Sequence, residues 1–187
     1  MARVKRMRAS RALALACAGL MLAASNTTPD GRPTPTGLEV PRWLSIKSEP
    51  VRARSGPGRE YQALWDYRAA SLPVQVVAET VEWRKVCDPE GNLVWLHRST
   101  VSSQRTVFNR QAAPVSVHAR RSESSPVRAR MAPRATLSLD RCEDGWCRVR
   151  ARRLRGWVRE SALFGTASAP LCDALAPAGA ARGAARR

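Results

Sequence analysis

From Val51 onward, short stretches rich in Val, Leu and Trp are broken by Gly, Pro and Asp turns. In SLPVQVVAE (71 to 79), Val74, Val76 and Ala78 fall on one side of a period-two pattern. EWRKVC (82 to 87) follows almost at once, then the turn DPEGN, then LVWLH. Three short strands in a meander are the all-β pattern. The second half repeats it with ATLSLDRC (135 to 142), the turn EDG, WCRVRA (146 to 151), the turn RRLR, and GWVRE. Helical periodicity is scarce: RSTVS (98 to 102) and ESALF (160 to 164) read as single 3-10 turns.

The strands supply a ruler for the repeat. Trp83-Arg84-Lys85-Val86 matches Trp146-Cys147-Arg148-Val149, and Trp95-Leu96 matches Trp157-Val158. The pentapeptide PVRAR occurs twice, but its copies do not fit this ruler. Val51 lies 32 residues before Trp83, whereas Val127 lies only 19 before Trp146. Val115, in PVSVHARRS, lies 31 before Trp146. A loop and its strands need a fixed amount of chain to return to a sheet, so Val115 to Ala119 is predicted as the counterpart of the first PVRAR. The second PVRAR then falls opposite YQALWDY (61 to 67). The ruler predicts a sheet strand at the first PVRAR, with Val51 and Ala53 buried. It predicts a loop segment at the second, beside a groove, with Arg128 and Arg130 exposed.

The ends read differently. Arg3, Lys5, Arg6, Arg8 and Arg11 precede an apolar run at 12 to 24. That run is shorter than the ~20 residues of a membrane span. It reads as a signal peptide over 1 to 25, with a retained N-terminal anchor as the alternative. After signal removal no stable membrane span is expected, and the compartment is periplasmic or secreted. Residues 26 to 40 are polar and Pro-rich, a linker. Residues 167 to 187 are mostly Ala, Gly and Arg and read as a disordered basic tail. The formal charge is +17, unevenly placed: residues 41 to 100 carry nine basic and seven acidic groups, and residues 101 to 165 carry fourteen and five. The second half is a candidate surface for an anionic partner, or reflects free use of Arg on solvated faces. Export argues against nucleic acid.

Each copy thus reads as a Val-x-Ala/Val strand, a long loop, an apolar strand, W-x-K/R-V, a turn, and a Trp-hydrophobe strand closing on a helical turn. This resembles the bacterial SH3-like domain. VRARSGPG resembles that family's opening strand and R-x-G-P turn, and RGWV its closing G-W-hydrophobe strand. Asn92-Leu93-Val94 departs by lacking the Gly before Trp95, and ARRSESSP stands where R-x-G-P is expected. The resemblance implies two tandem small SH3-like barrels, at 41 to 104 and 112 to 166, of an exported proteobacterial type. A ~60-residue barrel is marginal alone. Packing two together is expected to help, with Trp83, Trp95, Trp146 and Trp157 as apolar plugs.

Nothing in the sequence supports catalysis, a cofactor or a metal site. Its two histidines, His97 and His118, occupy non-equivalent places, and Ser55-Gly56-Pro57-Gly58 is a turn without a following Lys or helix. The acidic pair Glu79/Glu82 is expected to be solvated. Beyond the leader lie Cys87, Cys142, Cys147 and Cys172, an even count that invites disulfides in an oxidising compartment. A plain three-residue EDG turn pairs Leu139 with Val149 and puts Cys142 and Cys147 on opposite faces. A bulge at Gly145 would join them, and the family resemblance favours that bridge over two reduced thiols. Cys87 with Cys172 is pairing by elimination.

Candidate ligand contacts are Tyr61, Trp65 and Tyr67, which share one face with Ala63 if YQALWDY is extended. In SH3-like domains this loop lies beside a peptide groove; the alternative is that the stripe packs inward. The second copy presents Arg128 and Arg130 at this place. The resemblance therefore implies a non-enzymatic exported binding protein of the envelope, recognising peptidoglycan, another anionic envelope polymer or an envelope protein. A protein–protein adaptor that binds an extended peptide segment is the rival, and a structural module without a pocket is a third reading.

Overall fold

A computed structural model describes residues 27, 31–48 and 50–179. The expected signal peptide lies outside the described residues. The described residues are all-β, with fourteen strands in two antiparallel seven-stranded sheets. The first holds β1 (Arg42–Ile46), β2 (Val51–Arg54), β3 (Ala63–Tyr67), β4 (Pro73–Glu79), β5 (Trp83–Cys87), β6 (Leu93–His97) and β7 (Val101–Ser102). The second holds β8 (Thr106–Asn109), β9 (Val115–His118), β10 (Val127–Met131), β11 (Thr136–Glu143), β12 (Trp146–Ala151), β13 (Leu154–Arg159) and β14 (Leu163–Phe164). Strand order is β3-β2-β6-β5-β4-β1-β7 and, in the same pattern, β10-β9-β13-β12-β11-β8-β14. Single 3-10 turns at Arg98–Thr100 and Glu160–Ala162 precede the last strand of each.

The repeat follows the spacing. The first PVRAR forms β2, and its counterpart β9 begins at Val115. Val51 and Ala53 are buried in the core. The second PVRAR is opposite YQALWDY, but both are strands: β3 pairs with β2 as β10 pairs with β9. The expectation of a loop there was wrong, because each segment supplies an edge strand that satisfies the backbone of its neighbour. Both edge pairings carry a register shift, between Ala53 and Arg54 in one and between Val127 and Ala129 in the other. The extra residue turns Val127 outward, where it is 49% exposed, while Ala129 packs on the second core.

Core faces are set by alternation. Val74, Val76, Val86, Val94 and Leu96 fill the first core, and Val117, Leu139, Cys147, Val149 and Val158 the second. Phe108 and Phe164 from the second copy join the first core, where Phe164 meets Trp43 edge-on at 4.9 Å. Ser45 and Thr106 share a buried hydroxyl hydrogen bond of 2.6 Å across the same junction. The two copies are therefore packed together. The four expected Trp plugs belong to neither core cluster. Val86 and Val149 point inward, so Trp83, Trp95, Trp146 and Trp157 lie on the outer sheet faces.

Two further expectations fail at the ends. Residues 31 to 41 run against the first copy, with Thr34 buried and Thr36 donating to Glu79. Residues 167 to 179 form an ordered strap on the same copy instead of a disordered tail. Trp43 Nε1 donates to Ala167 O at 2.8 Å, and Lys85 Nζ donates to Ala174 O and Ala176 O at 2.7 and 2.6 Å. Small residues bury little themselves, but here their backbone is bonded from the sheet, and Cys172 is joined to Cys87. Residues 180 to 187 lie outside the described residues.

Candidate binding site on the outer sheet faces

The sequence candidates separate in space. Tyr67 is a core residue whose hydroxyl donates to Asp88 Oδ2 at 2.8 Å. Burial, and then the Asp88 charge, push its phenol well above the ordinary range. Trp65 packs half-buried on the same core and meets Tyr67 edge-on at 6.1 Å. Tyr61 stays at the rim, 44% exposed. The aromatic stripe thus does not face outward as a unit: register against β2 turns Trp65 and Tyr67 inward with Ala53 and Val51. Arg128 and Arg130 are exposed on edge strand β10. Arg128 sits at the bulge, and its guanidinium donates to Arg155 O at 2.9 Å, reaching toward β13.

The outer faces carry the chemistry, and the pairings align them residue for residue. In the first copy, Lys85 pairs with Trp95, Cys87 with Leu93 and also with Gln75. In the second, Arg148 pairs with Trp157, Arg150 with Arg155 and also with Ser138. The bulge on β4 between Val76 and Ala78 matches the one on β11 between Leu139 and Arg141. Beyond it, the pair Glu79↔Arg84 occupies the place of Cys142↔Cys147.

The first outer face is covered. Gln75 Nε2 donates to Ala169 O at 2.8 Å, and its Oε1 accepts from Leu171 N–H at 2.8 Å. Gly179 N–H donates to Leu93 O at 2.7 Å. Cys172 packs with Val77, Cys87 and Leu93 as a small separate cluster. Under the N-terminal segment Glu79 is buried, not solvated as expected. It accepts from Thr36 and Arg42 and pairs with Arg84 Nε at 3.2 Å. Burial alone would raise its pKa, but the bonds from Thr36 and Arg42 outweigh burial and hold it below the ordinary value. Between the N-terminal segment and the strap lies a cleft of about 460 Å³, bounded by Pro33, Pro35, Val81, Trp95 and Leu175. Its buried charges, Glu79 and Lys85, are already bonded to the protein.

The second outer face is open. Arg148 meets Asp140 at 4.0 Å, and Arg150 donates to Asp140 Oδ1 at 2.8 Å. The guanidinium groups of Arg121 and Arg141 lie 5.3 and 5.5 Å from the Trp157 ring centre. Arg121 also reaches Glu143 and Asp144, at 2.7 and 2.8 Å. Further along, Trp146 is enclosed by Arg159, 4.2 Å over its ring, and by His118, edge-on at 5.5 Å. Its counterpart Trp83 meets His97 edge-on at 5.2 Å. The result is an indole set among arginines that outnumber their acidic partners, an arrangement suited to anions and flat groups.

Cys142 and Cys147 form a disulfide between Cα atoms 4.0 Å apart. The route differs from the expected bulge at Gly145. Leu139 does pair with Val149, but the extra residue falls between Leu139 and Arg141, and the turn shortens to Asp144-Gly145. Both turn residues have positive φ, 51° and 73°, the hand that suits a two-residue hairpin. Among the described residues, Cys142, Cys147 and Glu160 group as metal-type donors, but the two sulfurs are already joined to each other. Gly156, the glycine of RGWV, has a physical reason: a Cβ there would lie 2.7 Å from His118 O on the neighbouring strand.

A family model described as bacterial SH3 domain matches residues 47–103 and again 111–165. The chain belongs to the bacterial SH3 domain family. Bacterial SH3 domains are binding modules, not catalytic ones. Among solved structures, the chain is similar to NlpC2 from Trichomonas vaginalis, with 11% identity and a TM-score of 0.30 over 67% of this chain and 48% of that one. NlpC1 from the same organism matches at 10% identity and a TM-score of 0.30, over 67% and 46%. The bacterial SH3 chain thus spans about half the length of these structures. No curated protein matches it. Among the described residues, no helix is long and apolar enough to cross a membrane.

Proposed function

We propose that this bacterial SH3 protein is an exported, non-enzymatic binding protein of the bacterial envelope that holds an anionic partner on the outer face of its second copy. The open, Arg-framed Trp157 carries the reading, because the matching face of the first copy is closed by the chain's own strap. Export is supported by the basic and apolar order of residues 1 to 25 and fits the two disulfides, which persist in oxidising compartments. Cell-wall material is the first partner class. Purified peptidoglycan sacculi should sediment the mature protein, and Arg148→Glu with Arg150→Glu should release it. Sacculi that retain the double variant as well as the parent would reject this face.

A second reading, an adaptor that binds an extended polypeptide, is favoured by one observation. The first copy already holds a polypeptide segment, the bends and turns of residues 167 to 179, through bonds to its backbone. Capture of envelope proteins without sacculi, lost in the same variant, would favour the adaptor.

A further inference from the structure

The two outer faces are the same surface with different side chains, and one of them displays how it is used. On the first copy residues 167 to 179, a run of bends and turns, cross β4, β5 and β6. Gln75 accepts one backbone N–H and donates to backbone carbonyls, Lys85 donates to two more carbonyls, and Leu93 O accepts the N–H of Gly179. These contacts read backbone, and the segment is mostly Ala, Pro, Leu, Cys and Gly, with Ser168 and Asp173. Side-chain identity enters where Cys172 meets Cys87 and Leu93, and where the charge of Asp173 favours the Lys85 ammonium against its burial.

On the second copy the backbone-reading cation is kept, since Arg148 stands where Lys85 stands, and Trp157 where Trp95 stands. The two positions that face Cys172 in the first copy are both changed to arginine. Arg150 replaces Cys87 and Arg155 replaces Leu93, and both are exposed. No described segment of the chain crosses this face as the strap crosses the other. We propose that the outer face of the second copy docks an acidic polypeptide segment of a partner protein, in the manner in which the first copy docks residues 167 to 179. The segment places a carboxylate where the strap places Cys172, against Arg155 and against Arg150, which shares the single carboxylate of Asp140 with Arg148. Arg148 donates to it as Lys85 donates to the strap. This rests on the reading of the face as an anion site and selects the partner: a polypeptide, because the matching face binds backbone, and an acidic one, because the apolar contacts have become guanidinium groups.

The test uses the full-length protein and a fluorescent twelve-residue peptide of alternating Glu and Ala. Linear polyphosphate and purified sacculi serve as non-peptide anions. Fluorescence anisotropy should show saturable binding of the peptide. Arg148→Glu with Arg150→Glu should weaken it at least about tenfold, the scale of one lost charge-assisted hydrogen bond. Arg148→Lys should retain binding, since Lys85 performs this role in the first copy. Arg59→Glu with Arg68→Glu, the same charge change elsewhere, should alter it little. Thioamides at alternate positions of the peptide, whose sulfur accepts hydrogen bonds more weakly than a carbonyl oxygen, should weaken binding in proportion to the carbonyls replaced. If polyphosphate or sacculi bind through Arg148 and Arg150 while the peptide does not, the anion face stands and the polypeptide inference falls. If the thioamide peptide binds as well as the parent, backbone docking is wrong. If no anionic probe depends on these arginines, both readings fail.

Discussion

Cutting the Cys87–Cys172 bridge should cost far more than cutting the hairpin bridge. The first closes a sequence separation of 85 residues that includes the whole second copy; the second closes 5. In the chain-entropy account the stabilisation grows with the logarithm of loop length, which gives about 4.5 kcal/mol for the long loop against about 2 kcal/mol for the short one. The long bridge also pins the strap, whose carbonyls satisfy the buried ammonium of Lys85. Burial already lowers the pKa of Lys85. Losing the strap would re-expose that group to water, so the chain-entropy figure is the main term. The comparison is between two full-length variants, Cys87→Ala with Cys172→Ala, and Cys142→Ala with Cys147→Ala. With a shift of about 4 °C per kcal/mol for a unit of this size, the first should melt about 10 °C below the second in scanning calorimetry. Limited proteolysis should also cut the first variant within residues 167 to 179 before any other described segment. Equal melting temperatures, or an uncut strap in the first variant, would show that the long bridge neither restrains the unfolded chain nor pins the strap.

Val51→Asp should destabilise the first copy by about 3 kcal/mol or more, because it places an unpaired carboxylate in the core. Val127→Asp should shift stability by about half a kcal/mol or less, because Val127 points outward; equal losses in urea melts would restore the identical pentapeptides as the true repeat. Glu79 has a folded pKa below its unfolded value, so its contribution is complete above the ordinary Glu value of about 4.3 and is lost as pH falls toward the depressed one. Melts in acid should therefore fall more steeply for the parent than for Glu79→Gln, and parallel curves would remove Glu79 from the account. An alkaline-phosphatase fusion after residue 40 should be active outside the cytoplasm, and retention inside would overturn export.

Spacing made the repeat legible because core-facing valines and the outer tryptophans are fixed by the return path of the chain to each sheet. The letters PVRAR misled because a face is decided by the partner strand: one bulge at Arg128 turns Val127 out while Val51 points in. YQALWDY misled for the same reason. Its alternation was real, but the aromatic side faced the core, leaving Asp66 and Arg52 as an exposed pair at 3.0 Å. The strap escaped notice because Ala, Pro and Gly carry no burial signal and its anchors, Gln75 and Lys85, lie about ninety residues away. A trace of it was present: PVQVVAE and LVWLH run nearly apolar on both faces, as covered strands do, whereas TLSLDRCE and LRGWVR expose polar side chains. The open face was visible only as a charge excess, since the setting of Trp157 among Arg121, Arg141 and Arg148 needs three separate strands or loops to meet.

Hydrogen exchange measured with and without the Glu/Ala peptide, and again with sacculi, tests most directly where this protein binds. Exchange should slow over Trp146–Ala151 and Leu154–Arg159, with Ala63–Tyr67 unchanged. Protection confined to Ala63–Tyr67 and the rim at Tyr61, with the second outer face unaffected by either probe, would contradict it.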